Sequence, residues 1–212
     1  MKNLLVFSLK LIKSKNIKYK LIELRSKGCN IMNISFPSFF TLNDDKLLEK
    51  VVLVDLDGTL IDVNTAIKHA MKDVLGKEVS LNQLTQIPRE KKAKIWDIAV
   101  QKYWNFMYPN KDVHDLIKIF KSVGFKIIIT SGRFEYMRSV TEKTLKKLGI
   151  QYDELLLRPS PNMKDEEWKA HIVRNFEKTS KIVIFIDDKW ENVEFIRKKS
   201  EQVWIIHIPS RR

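Results

Sequence analysis

Short runs of β-branched and other apolar residues alternate with longer amphipathic segments along most of this chain. The runs are Val51–Asp55 (VVLVD), Lys126–Thr130 (KIIIT), Leu155–Leu157, Ile182–Asp187 (IVIFID) and Val203–Ile208 (VWIIHI). Unbroken apolar runs of this kind suit strands buried on both faces, whereas a strand with one wet face alternates. The segments between them carry helical spacing. In Asp112–Val123, the side chains of Val113, Leu116, Ile117 and Phe120 share one stripe. Glu135–Leu148, Glu166–Phe176 and Asn192–Lys199 read the same way. Strands alternating with helices predict a parallel sheet with right-handed crossovers. The expected fold class is therefore α/β, a Rossmann-like three-layer parallel sheet.

The alternation breaks once. About 70 residues separate the first two runs, far more than one crossover helix needs. Asn64–Leu75 places Ile67, Ala70, Met71 and Val74 on one face, and a longer helix is predicted over Arg89–Met107 after Pro88. Residues 61–109 are read as a small helical cap inserted after the first strand. Residues 50–60 and 110–212 form the expected core, and 1–49 a basic extension with no role assigned. Within that extension, Met1–Ile12 is too short an apolar stretch for a membrane span. The lysines behind it (Lys13, Lys15, Lys18, Lys20) do not form a signal-peptide cleavage site. A packed peripheral helix or strand is expected there, with a basic leader or a start at Met32 as alternatives.

The charge is lopsided. Lys plus Arg number 39 against 26 Asp plus Glu, for a net charge of +13. Such an excess favours polyanionic partners, or else reflects lysines spread evenly over a solvated surface. The single cysteine, Cys29, forbids an intramolecular disulfide and fits a reducing, cytoplasmic compartment.

In open parallel sheets, ligands bind beyond the carboxyl ends of the strands. Those ends carry Asp55-Leu56-Asp57-Gly58-Thr59, Thr130-Ser131-Gly132-Arg133 and Asp187-Asp188. Asp55 and Asp57 are two apart, so both point to one side of an extended segment while Leu56 points into the core. Gly58 permits a sharp turn that Thr59 can brace. Carboxylates gathered at one edge repel unless a cation neutralises them, and magnesium fits best beside a phosphate.

Asp55-Leu56-Asp57-Gly58-Thr59-Leu60 resembles the first motif of the haloacid dehalogenase (HAD) superfamily of phosphohydrolases. The resemblance spans residues 50–208. It continues with a strand ending in Thr130 or Ser131, a lysine ahead of the fourth strand, and the pair Asp187-Asp188, all in family order. It implies that Asp55 attacks phosphorus and that Asp57 serves as proton donor and then acceptor. It also implies that Mg2+ sits among Asp55, the Asp57 backbone carbonyl and Asp188, with Asp187 as a further candidate ligand. Thr130, with Ser131 and Gly132 beside it, would hold phosphate oxygens. Arg133 reads either as a phosphate contact or as a solvated helix start. Lys164 and Lys169 both precede the fourth strand. Lys169 is the better match, because Glu166-Glu167-Trp168-Lys169 resembles helices that carry this lysine in related phosphatases.

A narrower stretch, Tyr152–Pro159 with its Arg158-Pro159 step, resembles the 3′-phosphatase domain of phage-type polynucleotide kinases. The implied substrate is a phosphomonoester, with nucleotides and nucleic acid 3′-phosphate ends as candidate classes. In the cap, Trp96, Tyr103, Trp104, Phe106 and Tyr108 interleave with Lys91, Lys92, Lys94 and Lys102. That pattern suits stacking of single-stranded bases, and equally suits a cap burying its own aromatics. The competing functional readings are a nucleic-acid-binding protein on the same scaffold and a phosphoryl transferase or mutase.

Overall fold

The computed structural model describes residues 8–12, 19–25, 32–37, 49–200 and 202–209. Cys29 and Lys13, Lys15 and Lys18 lie outside the described residues. The strand β4 (Glu49–Asp55) is the axis of the molecule. Its Val51 and Leu53 join one buried cluster and its Val52 and Val54 another, so β-branched residues serve both faces.

Four more parallel strands flank it: β7 (Lys126–Phe134) and β8 (Glu154–Arg158) on one side, β9 (Ser180–Asp187) and β10 (Trp204–His207) on the other. The parallel order is β10-β9-β4-β7-β8. The chain winds outward from β4 through β7 to β8, then returns to β9 beside β4, so a topological switch point falls at the carboxyl end of β4. Helices α3 (Lys111–Ser122) and α4 (Arg138–Lys147) cover one face. Helices α5 (Asp165–Thr179) and α6 (Trp190–Lys199) cover the other through Ala170, Ile172, Val173, Val193 and Ile196. This is the three-layer Rossmann-like α/β fold that the sequence pattern implies.

Three strands of the first 49 residues enlarge the sheet. β1 (Ser8–Ile12), β2 (Tyr19–Arg25) and β3 (Met32–Pro37) form an antiparallel run, and β3 pairs with β10. The stretch Met1–Ile12 thus contributes a strand from Ser8 onward.

After β4, the chain leaves the core on β5 (Ile61–Asp62) and returns on β6 (Tyr108–Pro109), which pair antiparallel. Between them lie α1 (Asn64–Leu75) and α2 (Arg89–Gln101). The helix expected over Arg89–Met107 stops at Gln101, and a 3-10 turn follows at Trp104–Phe106. The reason is aromatic packing. The rings of Tyr103 and Phe106 turn back onto His69 of α1, at centroid distances of 5.1 and 4.6 Å, which a continued helix would not allow. The helix expected from Glu135 likewise begins later: Glu135–Met137 is a 3-10 turn and α4 starts at Arg138.

Candidate active site

The acidic side chains at the ends of β4 and β9 meet. Asp55 is 3% exposed and Asp187 wholly buried, and between them lies the ammonium of Lys169, itself 1% exposed. Lys169 Nζ donates to Asp55 Oδ1 at 2.6 Å and to Asp187 Oδ2 at 2.8 Å, and lies 3.3 Å from Asp165 Oδ2. One buried ammonium among three carboxylates stays protonated. Burial alone would lower its pKa, but Asp187, Asp55 and Asp165 raise it well above the ordinary lysine value. Lys164, by contrast, is exposed at the N-terminus of α5, where its backbone N–H donates to Glu167 at 3.4 Å.

Asp187 is committed on both oxygens. Oδ2 also accepts from Asn192 Nδ2 at 3.0 Å, and Oδ1 accepts from the Lys189 backbone N–H at 2.8 Å. Asp55 Oδ2, in contrast, is buried with no hydrogen-bond partner, as is the hydroxyl of Thr130 at the end of β7. Burial pushes the Asp55 carboxyl well above its ordinary pKa, and Asp187 and Asp188 add to the rise against the pull of Lys169. Asp188 is raised too, first by burial and then by Asp187. Oxygens of Asp55, Asp187 and Asp188 lie within 4.8 Å of one another. A hard, oxygen-only donor set with an unpartnered buried oxygen fits a small divalent cation, which would relieve the repulsion.

Gly58 shapes the turn beyond β4. Its φ is +96°, and a Cβ there would fall 2.6 Å from Asp188 Oδ2. Thr59 is buried and its hydroxyl donates to Asp188 Oδ1 at 3.2 Å, tying the first acidic loop to the last. Gly132 is tight by contact alone, since a Cβ would meet Asp165 Oδ1 at 2.7 Å. Ser131 is buried, and its Oγ accepts from the Arg133 backbone N–H at 3.1 Å.

Arg133 is not the solvated helix start that was one of its two sequence readings, because β7 continues through Phe134 and the side chain is buried. Its guanidinium pairs with both carboxylate oxygens of Asp57, at 2.8 and 2.6 Å, and Thr141 Oγ1 accepts from Nη1 at 3.1 Å. Sequence reasoning also passed over Asp165, Asn192 and Lys189. Asp165 stands one turn before Lys169 on α5, a spacing that brings both to one face and was the available signal. Burial alone would raise the Asp165 carboxyl, but Lys169, Lys189 and Asn192 hold it below the ordinary range.

A cleft of about 560 Å³ opens from Asp57, Gly58 and Asp188 and runs beneath α1 and α2, where Ile67, Leu84 and Trp96 face it. Its size is that of a site for one small ligand. Among the described residues, no helix is long and apolar enough to cross a membrane.

A family profile described as HAD superfamily, subfamily IIIB (acid phosphatase), matches residues 16–209. The chain belongs to the HAD superfamily. It is a phosphatase of that family, and the profile reaches back over β2 and β3 as well as the parallel core. Solved HAD relatives share the fold. A haloacid dehalogenase-like hydrolase, SP0104 from Streptococcus pneumoniae, superposes with a TM-score of 0.55 at 17% identity, over 73% of this chain and 83% of that one. A chain of the Pnkp1/Rnl/Hen1 RNA repair complex gives 0.50 at 24% identity, over 82% of this chain and 50% of that one. A second structure of the Pnkp1/Rnl/Hen1 complex gives 0.52 at 26% identity, over 81% of this chain and 50% of that one. The HAD chain thus spans half the length of those two. No curated protein matches it significantly.

Proposed function

We propose that this HAD phosphatase is a Mg2+-dependent phosphomonoesterase that works through an aspartyl-phosphate on Asp55. The observation that carries the reading is the unpartnered, buried Asp55 Oδ2 beside an Asp55 Oδ1 that Lys169 holds at 2.6 Å. One oxygen is fixed and the other is left to react. Asp55 Oδ2 attacks phosphorus while the bond to the leaving oxygen breaks, and Asp57, which enters the step carrying the proton taken from water in the previous turnover, delivers it to that oxygen. Asp57 then takes a proton from a water that attacks the acyl phosphate, releasing inorganic phosphate and regenerating Asp55. To reach the leaving oxygen, Asp57 turns one of its carboxylate oxygens away from Arg133. Thr130 donates its free hydroxyl to a phosphate oxygen, and Lys169 offsets charge that builds at Asp55 and the phosphoryl group. Asp55 and Asp188, with Asp187 behind them, would hold Mg2+, which supplies charge shielding between the anionic nucleophile and the anionic phosphate.

The substrate proposed is a nucleotide or a nucleic acid 3′-phosphate end. Support comes from the Arg158-Pro159 stretch and from the likeness to chains of an RNA repair complex. The test is hydrolysis of p-nitrophenyl phosphate, nucleoside monophosphates and 3′-phosphorylated oligonucleotides, with and without Mg2+. Asp55→Asn should abolish turnover of all of them. Turnover that persists in Asp55→Asn and in excess chelator would overturn the mechanism.

A further inference from the structure

Lys189 directly follows Asp187-Asp188, and the steps above give it no task. Its backbone is fixed by the N–H bond to Asp187 Oδ1 at 2.8 Å. Its ammonium rests 3.3 Å from Asp165 Oδ2. That same oxygen lies 3.3 Å from Lys169 Nζ and accepts from Asn192 Nδ2 at 3.2 Å. Lys169 and Asn192 are buried, whereas the Lys189 side chain is 46% exposed. Asp165 therefore keeps a buried ammonium and a buried amide even when Lys189 leaves it. Partial burial alone would lower the pKa of Lys189, but Asp165 raises it, so the pair is favourable. The exposed lysine can nevertheless leave it without stranding a buried charge, and its long stem gives it reach.

Its surroundings say where it can go. Lys189 lines the same cleft as Asp57, Gly58 and Asp188. Its charge is already felt at Asp55 and Asp188, where it opposes the upward drive of burial. Lys169 has no such freedom, being wholly buried among three carboxylates.

We propose that Lys189 is a substrate-contacting residue, whose ammonium moves from Asp165 to an oxygen of the phosphoryl group seated against Asp55. This rests on the phosphomonoesterase reading of the site. Lys189 makes and breaks no covalent bond and keeps its proton; it donates a charge-assisted hydrogen bond. The two lysines divide the work. Lys169 is immobile and sets the nucleophile, while Lys189 collects an anion that Asp55, Asp187 and Asp188 would otherwise repel. Because substrate and product phosphate present the same oxygens, the contact strengthens the binding of both.

The experiment compares wild type, Lys189→Met and Lys189→Arg with p-nitrophenyl phosphate and Mg2+, and measures inhibition by inorganic phosphate. Losing a charge-assisted contact should raise both KM and the phosphate inhibition constant about tenfold in Lys189→Met. The change in kcat should be small beside the change in KM, and Lys189→Arg should restore most of the binding. Unchanged KM and phosphate inhibition in Lys189→Met would overturn the proposal. So would equal loss in Lys189→Arg accompanied by a lower Tm, which marks a structural role. Lys189→Gln replaces the methionine variant if the latter does not fold. Unaltered Lys189→Met kinetics with Asp55→Asn inactive would sink this proposal alone, whereas an active Asp55→Asn would sink the reading beneath it.

Discussion

Arg133 grips Asp57 by two parallel hydrogen bonds, from Nε to Oδ2 and from Nη2 to Oδ1. The guanidinium is 3% exposed and the carboxylate 14%. Thr141 Oγ1 and Met107 Sδ, at 3.1 and 3.3 Å, take up the remaining edge. The pair therefore fixes the orientation of the proposed proton donor against the core and against the returning end of the 61–109 segment. A lysine carries the charge without the planar fork. Arg133→Lys is expected to lower kcat about 100-fold through misplacement of Asp57, with KM little changed. Arg133→Met leaves a largely buried carboxylate without its partner and should cost about 3–5 kcal/mol, read by urea denaturation. Wild-type kcat in the lysine variant would refute the positioning role.

Gly58 tests the closeness of the two acidic loops. Alanine there must adopt φ near +96° and place a methyl carbon 2.6 Å from an Asp188 oxygen. The backbone cost is of order 1 kcal/mol, and the clash adds to it. The side chain of Asp188 would be displaced from Thr59 and from the acidic trio. Gly58→Ala is expected to raise the Mg2+ concentration needed for half-maximal activity by tenfold or more, since one of the two carboxylates proposed to hold the cation moves. An unchanged Mg2+ requirement, measured by titrating chelated enzyme, would show that Asp188 has no part in holding the cation.

Asp55→Asn should separate stability from activity. Burial raises the Asp55 carboxyl above its unfolded value, so the folded protein favours the protonated form. The resulting penalty is absent below the unfolded carboxyl pKa of about 4 and grows as pH rises through that value toward the folded one. Lys169 has the opposite effect. Its pKa is raised, so its contribution is complete through neutral pH and is lost only as pH rises through its folded pKa. In metal-free protein at pH 7, Asp55→Asn is therefore expected to melt higher than wild type, with the gap closing as pH falls below about 4. Adding Mg2+ should raise the wild-type Tm more than that of the variant. A metal-free Asp55→Asn that melts below wild type at pH 7 would contradict this account of the buried charge.

Much of this architecture was legible because the central strands β4, β7 and β9 of the parallel core are buried on both faces. Val51–Val54 and Ile182–Ile186 have no wet face, so they read as uninterrupted apolar runs, and their ends marked the site. The meeting of Asp55 and Asp187 follows from the register that pairs Val54 with Ile186, and Lys169 reaches them from α5. What sequence did not reveal depends on partners distant along the chain. Arg133 read as either a phosphate contact or a solvated helix start, and its pairing with Asp57 went unseen because Asp57 follows another strand and no local pattern signals a buried bidentate pair. β2 and β3 were missed because lysines and other polar residues interrupt their apolar residues, whereas β1 falls within Met1–Ile12, where a helix or a strand was expected. The Arg89–Met107 helix was overextended because Tyr103 and Phe106 keep helical spacing in sequence while their rings pack on His69 instead.

The aromatics of the 61–109 segment give a last test. In sequence Trp104 suited either a stacking platform for bases or a segment burying its own aromatics, and its ring has cations of its own. Lys143 and Lys147 of α4 sit 4.5 and 5.5 Å from its centroid, and Lys147 Nζ also donates to the Asn105 carbonyl at 2.7 Å. These contacts join the segment to the core. Stacking on a base is worth about 1–3 kcal/mol per aromatic, so a true platform would lose roughly 5- to 150-fold in oligonucleotide affinity on truncation. A ring engaged by two lysines of its own chain would instead lose fold stability. Trp104→Ala is expected to lower the Tm while leaving oligonucleotide affinity within about twofold of wild type, measured by fluorescence anisotropy at low salt. A fall in affinity at unchanged Tm would reverse the assignment and make Trp104 part of a nucleic acid surface.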